Sequence, residues 1–212
     1  NVCIQNVNSN NFTTNNLKNY LLDNYYHNEI PIIDNKPINL SLGIAIRAFN
    51  NIDQIDGSIT MNIWLRYLWK DYYINWDPYK WNNLSLISLD TSPDLENYIW
   101  TPDIFLYNTA EKPMEQMYYT KANVYSDGTV FWSRPGLIKS TCSFDLTRFP
   151  YDKQKCKLKF GSWSYDSSEI NLHYNNDLID ISNLQKHEEW DLVNYYTEKN
   201  SIKYSCCKYP YH

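Results

Sequence analysis

Glycine is scarce in this chain, with five residues in 212. Loops that cradle phosphate need glycines at fixed offsets, and neither a phosphate loop, a dinucleotide fingerprint nor a nucleophile elbow is present. No apolar run approaches the roughly 18 residues that a membrane-spanning helix requires. No secretory leader opens the chain, so it reads as a soluble, mature-like segment. Positive charge is also in deficit. Nineteen Lys and Arg against 24 Asp and Glu leave a formal charge of −5 and a pI near 5.3, which disfavours nucleic acid as a partner and favours the approach of cations. The four histidines, His27, His173, His187 and His212, are scattered without a helical pair, and the cysteines do not follow metal-ligand spacing. No metal and no cofactor is therefore expected, and with no paired acid and base and no triad order the chain does not read as an enzyme.

What the chain has in excess is aromatic surface: twenty tyrosines and eight tryptophans, within a hydrophobic content of 43%. That is ample for a core, favours strands over helices, and at this length suits one all-β domain spanning residues 1–212. Helical spacing occurs once, at Leu17, Tyr20, Leu21, Asn24 and Tyr25. It predicts one short N-terminal helix over about residues 15–27, with Pro31 barring its continuation. Strand alternation runs from Ile38 to Phe49 and from Ile59 to Tyr73, joined by a hairpin at Asp53, Asp56 and Gly57. In the second run Ile59, Met61, Ile63, Leu65, Tyr67 and Trp69 share one face, while Thr60, Asn62, Arg66 and Lys70 share the other with Trp64 among them. A tryptophan on a polar face either lies over the sheet edge or a neighbouring arginine stem, or awaits a partner. Residues 77–100 read as short strands and loops, Asp103 as an acceptor for neighbouring loop backbone, and 122–133 as a hairpin about Asp127-Gly128. Cys156, Leu158 and Phe160 alternate inward; 177–189 read as a polar loop, and a strand resumes at Trp190–Val193.

Cys142 and Cys156 enclose thirteen residues with Phe149-Pro150-Tyr151-Asp152 at their centre, which looks like a disulfide-closed loop feeding a strand. Such a bridge would stabilise the fold by about 3 kcal/mol on chain-entropy grounds, and an ordinary staple in a secreted domain explains the spacing equally well. Sequons at Asn11, Asn39 and Asn83 agree with an oxidising, extracellular compartment, although an Asn-rich chain also produces them by composition. Cys3 reads as a free thiol in a frayed terminus or as an intermolecular link. Cys206 and Cys207 are adjacent, and neighbouring Cα atoms about 3.8 Å apart fall short of the roughly 4.4–6.8 Å that relaxed disulfides prefer. A bridge there would be strained, and two free thiols are the alternative.

Taken together, Cys142-x13-Cys156 with Phe-Pro-Tyr-Asp inside, Lys157 to Asp166, Trp64-Leu65-Arg66, Trp100-Thr101-Pro102-Asp103 running to Tyr107-Asn108, and Tyr204-Ser205-Cys206-Cys207 with Tyr211 resemble the ligand-binding domain of the Cys-loop receptors. Within that family the pattern is similar to nicotinic acetylcholine receptor alpha-like subunits and acetylcholine-binding proteins. The resemblance implies a twisted immunoglobulin-like β-sandwich of about ten strands, over about residues 36–212, capped by the helix. It also implies a final strand and four membrane helices beyond His212.

By the same resemblance, Tyr107, Trp163, Tyr204, Cys206, Cys207 and Tyr211 form the principal face of a ligand site, with Cys206 and Cys207 bridged. Trp64, Arg66, Asn123, Phe131 and Ser133 form the complementary face of a neighbouring subunit in a pentamer of identical or homologous chains. Five aromatic rings would enclose a small cationic ligand through cation–π attraction, about 0.5–2 kcal/mol per ring according to desolvation. Arg66 would instead repel a cation or pair with the carboxylate of a zwitterion. For Trp163 the residue pattern also allows a core tryptophan at a strand end. Phe149, Pro150, Tyr151 and Asp152 would couple the domain to a channel at the extracellular face of a membrane. A secreted binding protein is the alternative to a channel.

Overall fold

The computed structural model describes residues 6–111, 117–173 and 179–212, except for the side chains of 6–12. Cys3 and the Asn11 side chain lie outside the described residues. Nine strands are present among the latter: Ile38–Asp53 (β1), Ser58–Lys70 (β2), Leu86–Leu89 (β3), Ile104–Leu106 (β4), Ala122–Tyr125 (β5), Thr129–Thr141 (β6), Phe160–Ser162 (β7), Ile170–His173 (β8) and Ile179–Asp180 (β9). Period-two patterning shapes the largest of them. β2 buries Ile59, Met61, Ile63, Leu65, Tyr67 and Trp69 and turns Trp64 and Arg66 to the other face, as the alternation predicts. Its hairpin with β1 closes at Gly57, whose φ of +63° is a left-handed conformation that costs least without a Cβ.

Strands β3, β5, β6, β2, β1 and β8 lie side by side in that order, with β9 also pairing β1; β4 and β7 form a second, two-stranded sheet. The β5–β6 hairpin turns at Asp127-Gly128, as its sequence predicts. Gly128 has φ +87°, and a Cβ on it would strike the Asp71 carbonyl and come within 2.8 Å of that of Ile74. Only glycine lets this turn pack on the end of β2.

The sandwich-like pair of sheets closes on one aromatic core. Tyr67 meets Trp132 with ring centroids 5.0 Å apart, Trp69 meets Trp100 edge-on at 6.1 Å, and Trp100 meets Tyr165 at 6.0 Å. Burying each large apolar side chain contributes about 1.5–3 kcal/mol. The disulfide Cys142–Cys156 forms, with Cα atoms 5.0 Å apart. The Cys142 N–H donates to the Gly57 carbonyl at 2.7 Å, tying this loop to the β1–β2 turn.

Two predicted elements differ. The helix, Asn6–Leu22 (α1), begins nine residues earlier than expected and stops before Asn24. Leu17 and Leu21 are buried at i, i+4 spacing, whereas Tyr20 is exposed and lies against Trp81. Tyr25 is not a helical residue. The chain turns so that its hydroxyl donates to Asp71 Oδ2 at 2.6 Å and accepts from the Trp100 N–H at 3.0 Å, and this polar anchor ends the helix early. The strand expected at Trp190–Val193 does not form, since these residues have no ladder partner among the described residues. Over Cys156–Phe160 the inward alternation is present, with Cys156, Leu158 and Phe160 packed on the core, but ladder pairing begins only at Phe160.

Candidate ligand-binding site

The two-stranded sheet positions the first group of candidate residues. Tyr107 directly follows β4 and Trp163 directly follows β7; the antiparallel register puts Tyr107 opposite Lys159 and Trp163 opposite Asp103, at the two ends of the short ladder, and their side chains reach toward each other along it. Their ring centroids are 6.0 Å apart. The Tyr107 hydroxyl donates to the Ser162 carbonyl, and Trp163 also lies 5.8 Å from Phe105. Gly161 makes this approach possible, since a Cβ there would sit 2.6 Å from the Tyr107 ring.

Asp103 holds the turn that carries Trp163. Its carboxylate accepts from Ser162 Oγ at 2.5 Å and from the Ser164 N–H at 2.7 Å, the loop-backbone role read from the sequence. With the turn fixed in this way, Trp163 is 65% exposed. It is therefore not the core tryptophan that its strand-end position also allowed.

The C-terminal segment closes over this pair. Ile202 and Tyr211 exchange both backbone hydrogen bonds at 2.9 Å, making a loop of the residues between them. The Ser167 N–H donates to the Pro210 carbonyl at 2.9 Å, and the His212 carbonyl would lie 2.9 Å from a Cβ on Gly161. Tyr204 and Tyr211 meet edge-on at 5.7 Å. Burial, then the neighbouring Tyr204, Asp103 and Tyr211, push the Tyr107 phenol above its ordinary range. Burial and the facing Cys207 thiol do the same for Tyr211. The predicted rings thus form two pairs, Tyr107 with Trp163 and Tyr204 with Tyr211, and both tyrosines of the second pair lie near enough, with the Asp103 carboxylate, to act on the Tyr107 phenol.

At the tip of this loop the Cys206 and Cys207 sulfurs are 2.9 Å apart, as two thiols in contact and not as the bridge the resemblance implies. The hydrogen bond from Cys206, followed by burial, pushes the Cys207 thiol up.

The second group lies on the large sheet, on the face away from the core. Trp64 is 37% exposed; Arg66 pairs across the ladder with Ser133, and Asn123 with Phe131. The Asn123 carboxamide oxygen accepts from Ser88 Oγ at 3.1 Å. Arg66 is not an open cation, because it donates to Asp180 at 2.8 Å. Hydrogen bonds from Ser182 and then from Arg66 hold that carboxyl down at about 2. The sequence reading missed Asp180, as well as Arg47, whose guanidinium carbon lies 4.5 Å from the Trp64 ring centroid. Of the two uses weighed for a tryptophan on a polar face, contact with an arginine is the one seen within the chain.

Residues 14–212 match the family described as the neurotransmitter-gated ion-channel ligand binding domain. The chain belongs to that family. The ligand-binding domain is 37% identical over 165 residues to the neuronal acetylcholine receptor subunit alpha-4 of Gallus gallus, covering 78% of this chain and 26% of that protein. It is 35% identical over 186 residues to subunit alpha-6 of Mus musculus, covering 87% and 37%. The chain thus spans well under half the length of these relatives. The family is one of ligand binding, not of enzymes, and no helix among the described residues is long and apolar enough to cross a membrane.

The remaining candidates fall where the fold exposes them. Phe149 and Tyr151 are 68% and 88% exposed at the tip of the disulfide loop, while Asp152 accepts from Gln154, whose amide also donates to the Asp145 carbonyl at 2.9 Å. Asn83 is exposed just beyond a 3-10 turn. Asn39 lies within β1, and its carboxamide oxygen accepts from Asn171 Nδ2 at 3.0 Å.

Proposed function

We propose that this ligand-binding domain holds a small organic cation of acetylcholine type between neighbouring subunits, and that loop closure over it opens a cation channel. The observation that carries the reading is the grouping of the Tyr107–Trp163 pair with the Tyr204–Tyr211 pair beside the Asp103 carboxylate, with Trp163 exposed. Rings of this kind hold a compact ammonium without a formal counter-charge, and Asp103 adds a negative field from behind. The box is open on one side within a single chain, so Trp64 of the adjacent subunit, with Arg66, Asn123, Phe131 and Ser133 around it, supplies the fifth wall in a pentamer. The pairing of Arg66 with Asp180 supports a cationic ligand over the repulsion its charge alone would cause.

Exposed Phe149 and Tyr151 beside Pro150 favour the channel over a secreted binding protein, because an entirely soluble protein gains nothing by presenting them to water. On this reading the domain sits at the extracellular face of a membrane, with the disulfide loop as the coupling element and Asn83 as the accessible glycan acceptor, and the touching Cys206 and Cys207 thiols close into a bridge once oxidised. The decisive test is direct titration of acetylcholine and choline against the assembled protein. Trp163→Ala removes most measurable binding if the reading is right. Unchanged affinity in that variant would sink it.

A further inference from the structure

The outward ring of Trp64 already has an occupant. β1 carries a bulge between Ile46 and Ala48, so Arg47 has no partner residue on β2 and is re-aimed, as bulged residues commonly are. Its guanidinium reaches diagonally to Trp64 and stands 4.5 Å from the ring centroid, within cation–π range. Two contacts fix this arrangement. The Gln185 N–H donates to the Arg47 carbonyl at 2.8 Å, and Arg66 pairs with Asp180 at 2.8 Å, on the same short stretch of chain. Among the described residues, Arg66 has a carboxylate and Arg47 has an aromatic face.

We propose that Arg47 is a specificity-determining residue: a built-in cation on the complementary wall, which an incoming ammonium must displace from Trp64. The inference rests on the aromatic-box reading above. A ring face accommodates one cation at close range, so a compact quaternary ammonium without other polar groups gains nothing from Trp64 while Arg47 remains there. A ligand that carries a carboxylate on the side away from its ammonium gains instead, because it meets a guanidinium able to donate two parallel hydrogen bonds. Arg47 therefore biases the site, among small ammonium ligands, toward those that carry a carboxylate at the far end and against those that carry none.

Calorimetric titration of tetramethylammonium and betaine against the assembled full chain tests this, in wild type, Arg47→Gln, Arg47→Lys, Trp64→Ala, Trp163→Ala and the Arg47→Gln/Trp64→Ala double variant. Arg47→Gln should tighten tetramethylammonium about threefold to thirtyfold, the value of one vacated ring face, and should weaken betaine. Arg47→Lys, which keeps the charge, should stay near wild type for tetramethylammonium. The tetramethylammonium gain should vanish in the double variant, since no ring remains to be vacated. Arg47→Gln leaving both probes unchanged, or a gain that persists without Trp64, overturns the inference. Trp163→Ala separates the two levels: loss of binding there with no effect of Arg47→Gln removes Arg47 alone. No effect of Trp163→Ala removes the box reading and this inference with it.

Discussion

Asp71 is fully buried at the end of β2, and burial pushes its carboxyl from 3.8 up to about 6 although Tyr25 and the Tyr73 N–H both donate to it. The fold therefore favours the protonated form. That contribution to stability is complete below about pH 4 and is withdrawn as the pH rises through about 6; the full difference corresponds to about 3 kcal/mol. Asp71→Asn keeps an acceptor for the Tyr73 N–H and removes the titration. Urea midpoints measured at pH 4 and pH 7 should show the variant gaining on wild type at the higher pH. An equal difference at both values would mean that Asp71 is solvated. None of this was legible in the sequence, where Asp71 falls inside the alternating run Ile59 to Tyr73 with nothing to mark it. The partner that buries it, Tyr25, lies 46 residues away.

At the scale of elements, the β4–β7 pair is short but sets the geometry of the site, and Gly161 is where it is most exposed to change. An added methyl would sit 2.6 Å from the Tyr107 ring and 2.9 Å from the His212 carbonyl, so Gly161→Ala forces apart the aromatic floor and the loop that closes over it. A displacement of this kind in a packed site costs about 1–3 kcal/mol. Ligand affinity should fall roughly tenfold or more while near-ultraviolet dichroism keeps its folded signature; full affinity in the variant would show that Tyr107 need not sit against β7. The resemblance alone put Tyr107 and Trp163 in one site, period-two patterning correctly predicted the buried face of β2, and the turn residues predicted both hairpins. Patterning failed where no period exists. The segment Asn6–Thr14 is helical without apolar repeats to announce it, and Trp190–Val193 has the strand pattern without a ladder partner among the described residues. The Arg47 bulge was hidden because a one-residue insertion into a ladder depends on the partner strand, not on either run alone.

On the scale of the whole molecule, the chain carries its two candidate faces on different sheets. Tyr107 and Trp163 flank the small sheet, while Trp64 and Arg66 lie on the outer side of the large one. A site that needs both is then completed between copies, and this makes a prediction that no single-chain site shares. In assemblies of Trp163→Ala alone, or of Trp64→Ala alone, every interface lacks one wall. When the two variants are co-expressed and mix at random, an intact principal face from a Trp64→Ala subunit meets an intact complementary face from a Trp163→Ala subunit at about one interface in four, as head-to-tail contacts in a ring require. High-affinity sites should therefore reappear at about a quarter of the wild-type number, with wild-type affinity at each. Counting sites by radioligand saturation on purified mixed assemblies measures this directly. If mixing restores no sites while both variants assemble normally, Trp64 and Trp163 do not share a ligand, and the interface must be drawn elsewhere on the sandwich.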